Sequence, residues 1–304
     1  MPAAPGRADP VTRTAAIGWL LLAVPFTALS AILPKLAAQP GPTTGFWRFT
    51  IACLLAGPML AWTLRTAGEA PRAPFAWRPG VLAGIAFGAD IAVWNQALLM
   101  VPAAEAMLLG HTAPLWVGLF GWLIWGRRPN AAYWIGCVLA AAGMALFVAH
   151  RLGAADASLA GLALCVLAGA LYAAYILLAH AARSRMAVLP FLLVSQGTAA
   201  VVCAACAFPM GAPLWSFAPL TWLWLVASGV AGLAGGWAVV MALSRISAPS
   251  VSMTMLLQVP VAALLAWWIF GEALVGAQAL GALVMLAAVV LVNARPGSAG
   301  ANSA

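Results

Sequence analysis

Apolar stretches of membrane-crossing length, parted by short polar breaks, run almost the whole length of the chain. A spanning helix needs about 20 mostly apolar residues. The pattern predicts ten, at 16–36, 44–63, 80–101, 103–126, 131–149, 159–181, 187–208, 219–243, 247–270 and 274–293. The connections are short. The longest, 64–79, contains "RTAGEAPRAPFAWRP" and reads as a polar loop, and Val101-Pro102 reads as a tight turn between two helices. The apolar run 16–33 exceeds the about 7–15 residues of a signal-peptide core, so it reads as an uncleaved first span. Residues 1–15 and 294–304 read as cytoplasmic tails, the second small, polar and disordered.

Composition agrees with this pattern. The chain has 304 residues, 65% of them hydrophobic and 7% charged, with mean hydropathy +1.03. Soluble domains carry roughly 25% charged residues, so too little polar surface exists to coat a globule. The fold class is an all-α integral membrane protein in a lipid bilayer. The net charge of +8 lies in clusters between apolar stretches, not along one basic face, which argues against nucleic acid. Assigned to alternating loops, eleven basic residues fall on one side and three (Lys35, Arg48 and Arg151) on the other. The basic side is cytoplasmic. This predicts cytoplasmic termini and a location in the inner (plasma) membrane.

The two halves repeat. "QALLMVPAAEA" (96–106) resembles "MALSRISAPSVS" (241–252), and "HTAPLWVGLFGWLIWGRRP" (111–129) resembles "LQVPVAALLAWWIFGEAL" (257–274). Pro114 then matches Pro260, Gly126 matches Gly271 and Gly136 matches Gly281, at an offset of 145 or 146. The predicted organisation is one five-helix repeat at 16–149 and a second at 159–293. Five is odd, so the second repeat enters the membrane from the opposite side. Such inverted-topology repeats are common in secondary transporters.

These stretches give the chain a resemblance to the EamA-type transporters of the drug/metabolite transporter superfamily. "TGFWRFTIACLLAGPML" resembles the family's second helix. "DIAVWNQALLMVPAAEAMLLGHTAPLWVGLFGWLIWG" resembles its third and fourth, and "ALSRISAPSVSMTMLLQVPVAALLAWWIFGEAL" the repeated pair. Glu272 stands at the family's acidic position after helix nine, whereas the first half has Arg127 there. The resemblance covers residues 16–293. It implies ten helices, two inverted repeats, and alternating access to a central cavity. It does not imply a substrate.

Ionisable residues within spans are costly and mark functional sites by default. Asp90 is expected about 15 Å deep in helix three, and His111 about 12 Å deep in helix four. Similar depth makes them a candidate protonatable or substrate-contacting pair; whether they face each other depends on helix rotation. Glu105, near the start of helix four, reads as a helix-end carboxylate in reach of water, or as an outer gate with Arg48. Arg48 by itself reads as an interfacial residue snorkelling to water. Further substrate or proton candidates are Trp94, Asn95, Tyr172, Tyr175, Trp237 and Gln258. Gln258 stands beside Pro260 as Thr112 stands beside Pro114, and prolines there free backbone carbonyls. Trp94 and Trp237 lie deep enough to stack on a solute.

Other classes find less support. Six acids scattered singly give no catalytic cluster for an intramembrane lipid-modifying enzyme. No nucleotide-binding loop is present, and no pore loop or charged ring suggests a channel. Cys203 and Cys206 form a C-x-x-C without a second pair or a nearby histidine, so they read as packing residues, with no metal or cofactor expected. The expected activity is secondary transport, as export, of a small metabolite or amino-acid-like solute. The proton is the candidate coupling ion; passive exchange is the alternative.

Overall fold

The computed structural model describes residues 10–66, 77–97, 100–101, 103–126, 128–149, 158–183, 185–271 and 275–294. Twelve helices appear among them: α1 (Pro10–Ala37), α2 (Gly41–Thr66), α3 (Trp77–Ala97), α4 (Ala103–Gly110), α5 (Ala113–Trp125), α6 (Ala131–Val148), α7 (Leu159–Ala182), α8 (Val188–Ala207), α9 (Pro219–Leu243), α10 (Ala248–Met255), α11 (Gln258–Phe270) and α12 (Gly276–Ala294).

These twelve are the ten expected spans, with the fourth and ninth each broken in two. The break after α4 falls at His111-Thr112 and that after α10 at Leu256-Leu257. A proline stands just after each break. Pro114 and Pro260 lack an N–H, and each ring clashes with the carbonyl four residues back, at Gly110 and Leu256. A 3₁₀-type turn covers the second break, with Val259 N–H donating to Leu256 C=O at 3.1 Å. Both broken spans end alike, on a glycine in the left-handed region: Gly126 (φ 64°) after α5 and Gly271 (φ 67°) after α11. A side chain is strained in that conformation, which accounts for glycine at both positions.

Among the described residues, nine helical stretches are long and apolar enough to cross a membrane. The remaining span, α3, carries Arg78, Asp90, Asn95 and Gln96. Large apolar side chains such as Leu54, Leu123, Val201 and Trp268 stand exposed on the outside, as lipid-facing residues do.

The packing repeats as the sequence does. With the spans counted one to ten, span one packs on eight and span six on three; two packs on eight and seven on three; one packs on nine and six on four. Spans two and seven pack on each other, as do five and ten. Advancing each member by five, counted round the ten, turns each of the first six pairs into another observed pair and the last two into themselves. The α6–α12 contact shows how close the halves come. A Cβ on Gly143 would stand 2.9 Å from Gly281 O, and a Cβ on Gly281 would stand 2.5 Å from Gly143 O. Small residues let helix backbones approach in lipid, where dispersion and hydrogen bonding replace the hydrophobic effect as glue.

Candidate functional site

The polar centre is built around Arg48. It lies seven residues into α2, about 10 Å along the helix. Glycines on α9 make room for it. A Cβ on Gly229 would stand 3.2 Å from Arg48 O, and one on Gly232 would stand 2.9 Å from Arg48 Nε and 3.1 Å from Ser30 Oγ. Ser30 of α1 and Ser228 of α9 each donate a hydroxyl hydrogen bond to the other's backbone carbonyl, both at 3.1 Å. This buried pair fixes the two helices beside the guanidinium.

The guanidinium itself lies over two rings, 5.6 Å from the centroid of Phe49 and 5.7 Å from that of Phe87. Asp90 stands one turn beyond Phe87 on α3 and is buried. Arg48 is within electrostatic reach of Asp90, Tyr172, Tyr175 and Cys203. Among the described residues, Asp90 makes no hydrogen bond and no ion pair within 4.0 Å. Asp90 and Arg48 thus lie within electrostatic reach of each other without forming an ion pair. Tyr175 of α7 stacks on Phe87 with centroids 4.3 Å apart and planes 16° apart, and Tyr172 lies 6.1 Å from Tyr175.

This arrangement brings together a cation, a carboxyl group, two phenols and an aromatic floor. They come from spans two, three and six, with spans one, seven and eight contributing Ser30, Cys203 and Gly232. Both repeats take part. A planar guanidinium recognises carboxylate or phosphate with two parallel hydrogen bonds. A free carboxylate takes an ammonium group or a proton. Moving such charges into the membrane costs about 2.5–3.5 kcal/mol each on insertion scales.

The structure places the predicted residues unevenly. Asp90, Tyr172 and Tyr175 meet at this centre. Arg48 meets them there too, and this corrects the snorkelling assignment: its head turns inward over aromatic rings and does not reach for the surface. His111 is elsewhere. It sits in the break between α4 and α5, with Nδ1 3.0 Å from Met107 O and its ring perpendicular to Trp94 at 5.9 Å. It lines a cavity of about 30 Å³ with Thr112, Pro114, Cys137 and Leu256. No hydrogen bond or ion pair joins it to Asp90 among the described residues. Trp94 packs over Gly110 beside the break, while Asn95 packs over Gly41 at the start of α2. Trp237 is half-buried on α9, and Gln258 is half-buried at the start of α11. Glu105 belongs to α4, but its side chain, and with it the gate expected with Arg48, lies outside the described residues, as do Arg127, His150 and Glu272.

Phe49, Phe87, Ser30 and Cys203 escaped sequence reasoning. One signal was available. Phe87 and Asp90 are three apart, as are Tyr172 and Tyr175, and residues three apart share a helix face. An apolar groove of about 370 Å³ between α5, α6 and α7, lined by Leu115, Trp116, Leu119, Trp134 and Val166, includes none of the charged centre.

Two five-helix sets around a buried charged centre can be compared with known proteins. The sequence profile of the EamA-like transporter family matches residues 14–149 and, again, residues 159–294. This chain belongs to the EamA-like transporter family. As an EamA-like protein it is a multi-pass membrane protein of the drug/metabolite transporter superfamily, whose members are transporters. A solved structure described only as "Crystal structure of protein" aligns with a TM-score of 0.75, covering 94% of this chain and 99% of its own. At 20% identity that likeness concerns the fold alone. No curated protein matches this chain.

Proposed function

We propose that this EamA-like protein is a secondary transporter that exports a small amino-acid-like solute through alternating access. The observation that carries the reading is Arg48 held over Phe87, one turn from Asp90 and within its electrostatic reach, where helices of both repeats meet. Arg48 holds the solute's carboxylate, and Asp90 takes its ammonium group or a proton. The Phe87–Tyr175 stack forms an apolar wall against which the rest of the solute lies. The repeats stand inverted in the inner membrane, with both termini cytoplasmic, as the eleven-to-three distribution of basic residues supports. The breaks at Pro114 and Pro260 supply the two points about which half-helices pivot. The small-molecule solute, protons and the bilayer are the partners, and the reading involves no catalysis.

Proteoliposomes given a ¹⁴C-labelled pool of L-amino acids, with and without an imposed pH gradient, test this reading. Accumulation that requires the gradient and disappears in Asp90→Asn establishes proton coupling through Asp90. A second reading, passive exchange, is favoured by the small number of charged residues, 7% of the chain. Exchange indifferent to the gradient and to Asp90→Asn selects it. A folded wild type that moves no member of the pool rejects the amino-acid class.

A further inference from the structure

Gln196 of α8 is 3% exposed, and its Oε1 is buried without a hydrogen-bond partner. No hydrogen bond to its Nε2 is present among the described residues either; a Cβ on Gly236 of α9 would stand 3.4 Å from that nitrogen. Native interiors satisfy nearly all buried polar side chains, and an amide left bare at both ends calls for a reason. Packing does not supply one, since leucine fills the same volume without the desolvation penalty.

The position of Gln196 supplies one. Cys203 lies seven residues further along α8, two turns on and on the same face. Cys203 is within electrostatic reach of Arg48 and Asp90, and its Sγ would stand 2.9 Å from a Cβ on Gly45. Gln196 therefore shares the inward face of α8, about 10 Å from the level of the charged centre. Between the two stand only Ala199 and Ala200 on that face.

The direction of this offset is also fixed. The start of α7 meets the turn that follows α3, with Ser158 N–H donating to Met100 C=O at 3.4 Å. The end of α7 meets the end of α9, with His180 Nδ1 3.0 Å from Leu243 O. α8 begins at this second face, and Gln196 is eight residues in from it. Arg48 and Asp90 lie nearer the first face, where α2 begins and α3 ends.

We infer that Gln196 is a second, uncharged binding station on the transport path, on the cytoplasmic side of the Arg48–Asp90 centre. Its amide offers a carbonyl acceptor and two N–H donors. It takes the polar end of the solute, donating to a carboxylate or accepting from an ammonium or hydroxyl group, once the inner side opens. The α9 glycine opposite, Gly236, leaves the approach free of a side chain, and Trp237 follows it on the same helix. This rests on the transporter reading above.

Two measurements test it, and the first needs no substrate. Gln196→Cys, in full-length protein whose five native cysteines are replaced, is exposed in inside-out vesicles to a membrane-impermeant anionic methanethiosulfonate. The expected result is modification at least tenfold faster than at Val201→Cys on the lipid-facing side. Equal or slower reaction from either face overturns the proposal. Second, Gln196→Leu is expected to keep or raise the thermal unfolding temperature while uptake of the labelled amino-acid pool falls at least tenfold. Gln196→Leu that unfolds at lower temperature, or that transports like active wild type, also overturns it. Should the wild type move none of the pool, the amino-acid reading fails, and the thiol reaction still decides whether position 196 meets water.

Discussion

Arg48 on α2 holds its guanidinium 5.7 Å from the ring centroid of Phe87 on α3. The same ring stacks on Tyr175 of α7 at 4.3 Å, so one aromatic side chain supports both a first-repeat cation and a second-repeat phenol. The relationship joins charge placement to the contact between repeats.

Arg48→Lys keeps the charge and loses the planar group spread over Phe49 and Phe87. A desolvated cation–π contact is worth about 0.5–2 kcal/mol. The expected outcome is a roughly 2- to 30-fold fall in transport efficiency in proteoliposomes, with Arg48→Gln lower still. Lysine performing like arginine would show that only net charge matters there.

Asp90 and His111 separate in their expected effects, because the structure turns them to different neighbours. Asp90→Asn is expected to abolish gradient-driven accumulation. His111→Ala, which loses the contact with Trp94 and the bond to Met107 O, is expected to keep gradient dependence at a reduced rate. Loss of coupling in His111→Ala alone would reverse the two assignments.

Gly281→Ala places a Cβ 2.5 Å from Gly143 O and 2.7 Å from Phe147 N, both backbone atoms that cannot step aside. Overpacking of this kind costs about 1–3 kcal/mol. Thermal unfolding in detergent is expected to show a clear fall. Gly121→Ala on α5, with nothing within 4 Å of the new methyl, serves as the control and is expected to be neutral or stabilising.

Trp47 ties the segment after α8 to α2. Its Nε1–H donates to Leu214 C=O at 2.7 Å, and its ring meets Trp215 and Trp222 edge-on at 5.1 and 4.5 Å. Thr43 adds a hydroxyl bond to Pro213 C=O at 2.8 Å. Trp47→Ala is expected to expose residues 208–218 to proteolysis in vesicles at least several-fold faster than wild type, with Thr43→Val showing a smaller increase.

The spans, their number and their internal repeat were legible in the sequence because each depends on local composition. Twenty apolar residues cross a bilayer whatever surrounds them. Pro114 and Pro260, at matching places in the two repeats, mark the broken spans, and Gly126 and Gly271 announce matching ends. Helix rotation was not legible. In a soluble helix a polar face marks the outside, but here lipid is as apolar as the core, so the sequence seldom distinguishes one side of a span from another. Only tertiary packing turned Arg48 inward over Phe49 and Phe87, turned His111 to Trp94 and not to Asp90, and placed Gln196 opposite a glycine. The orientations of Arg48 and Gln196 follow from where Gly229, Gly232 and Gly236 leave space on α9, and Trp94 beside His111 packs over Gly110.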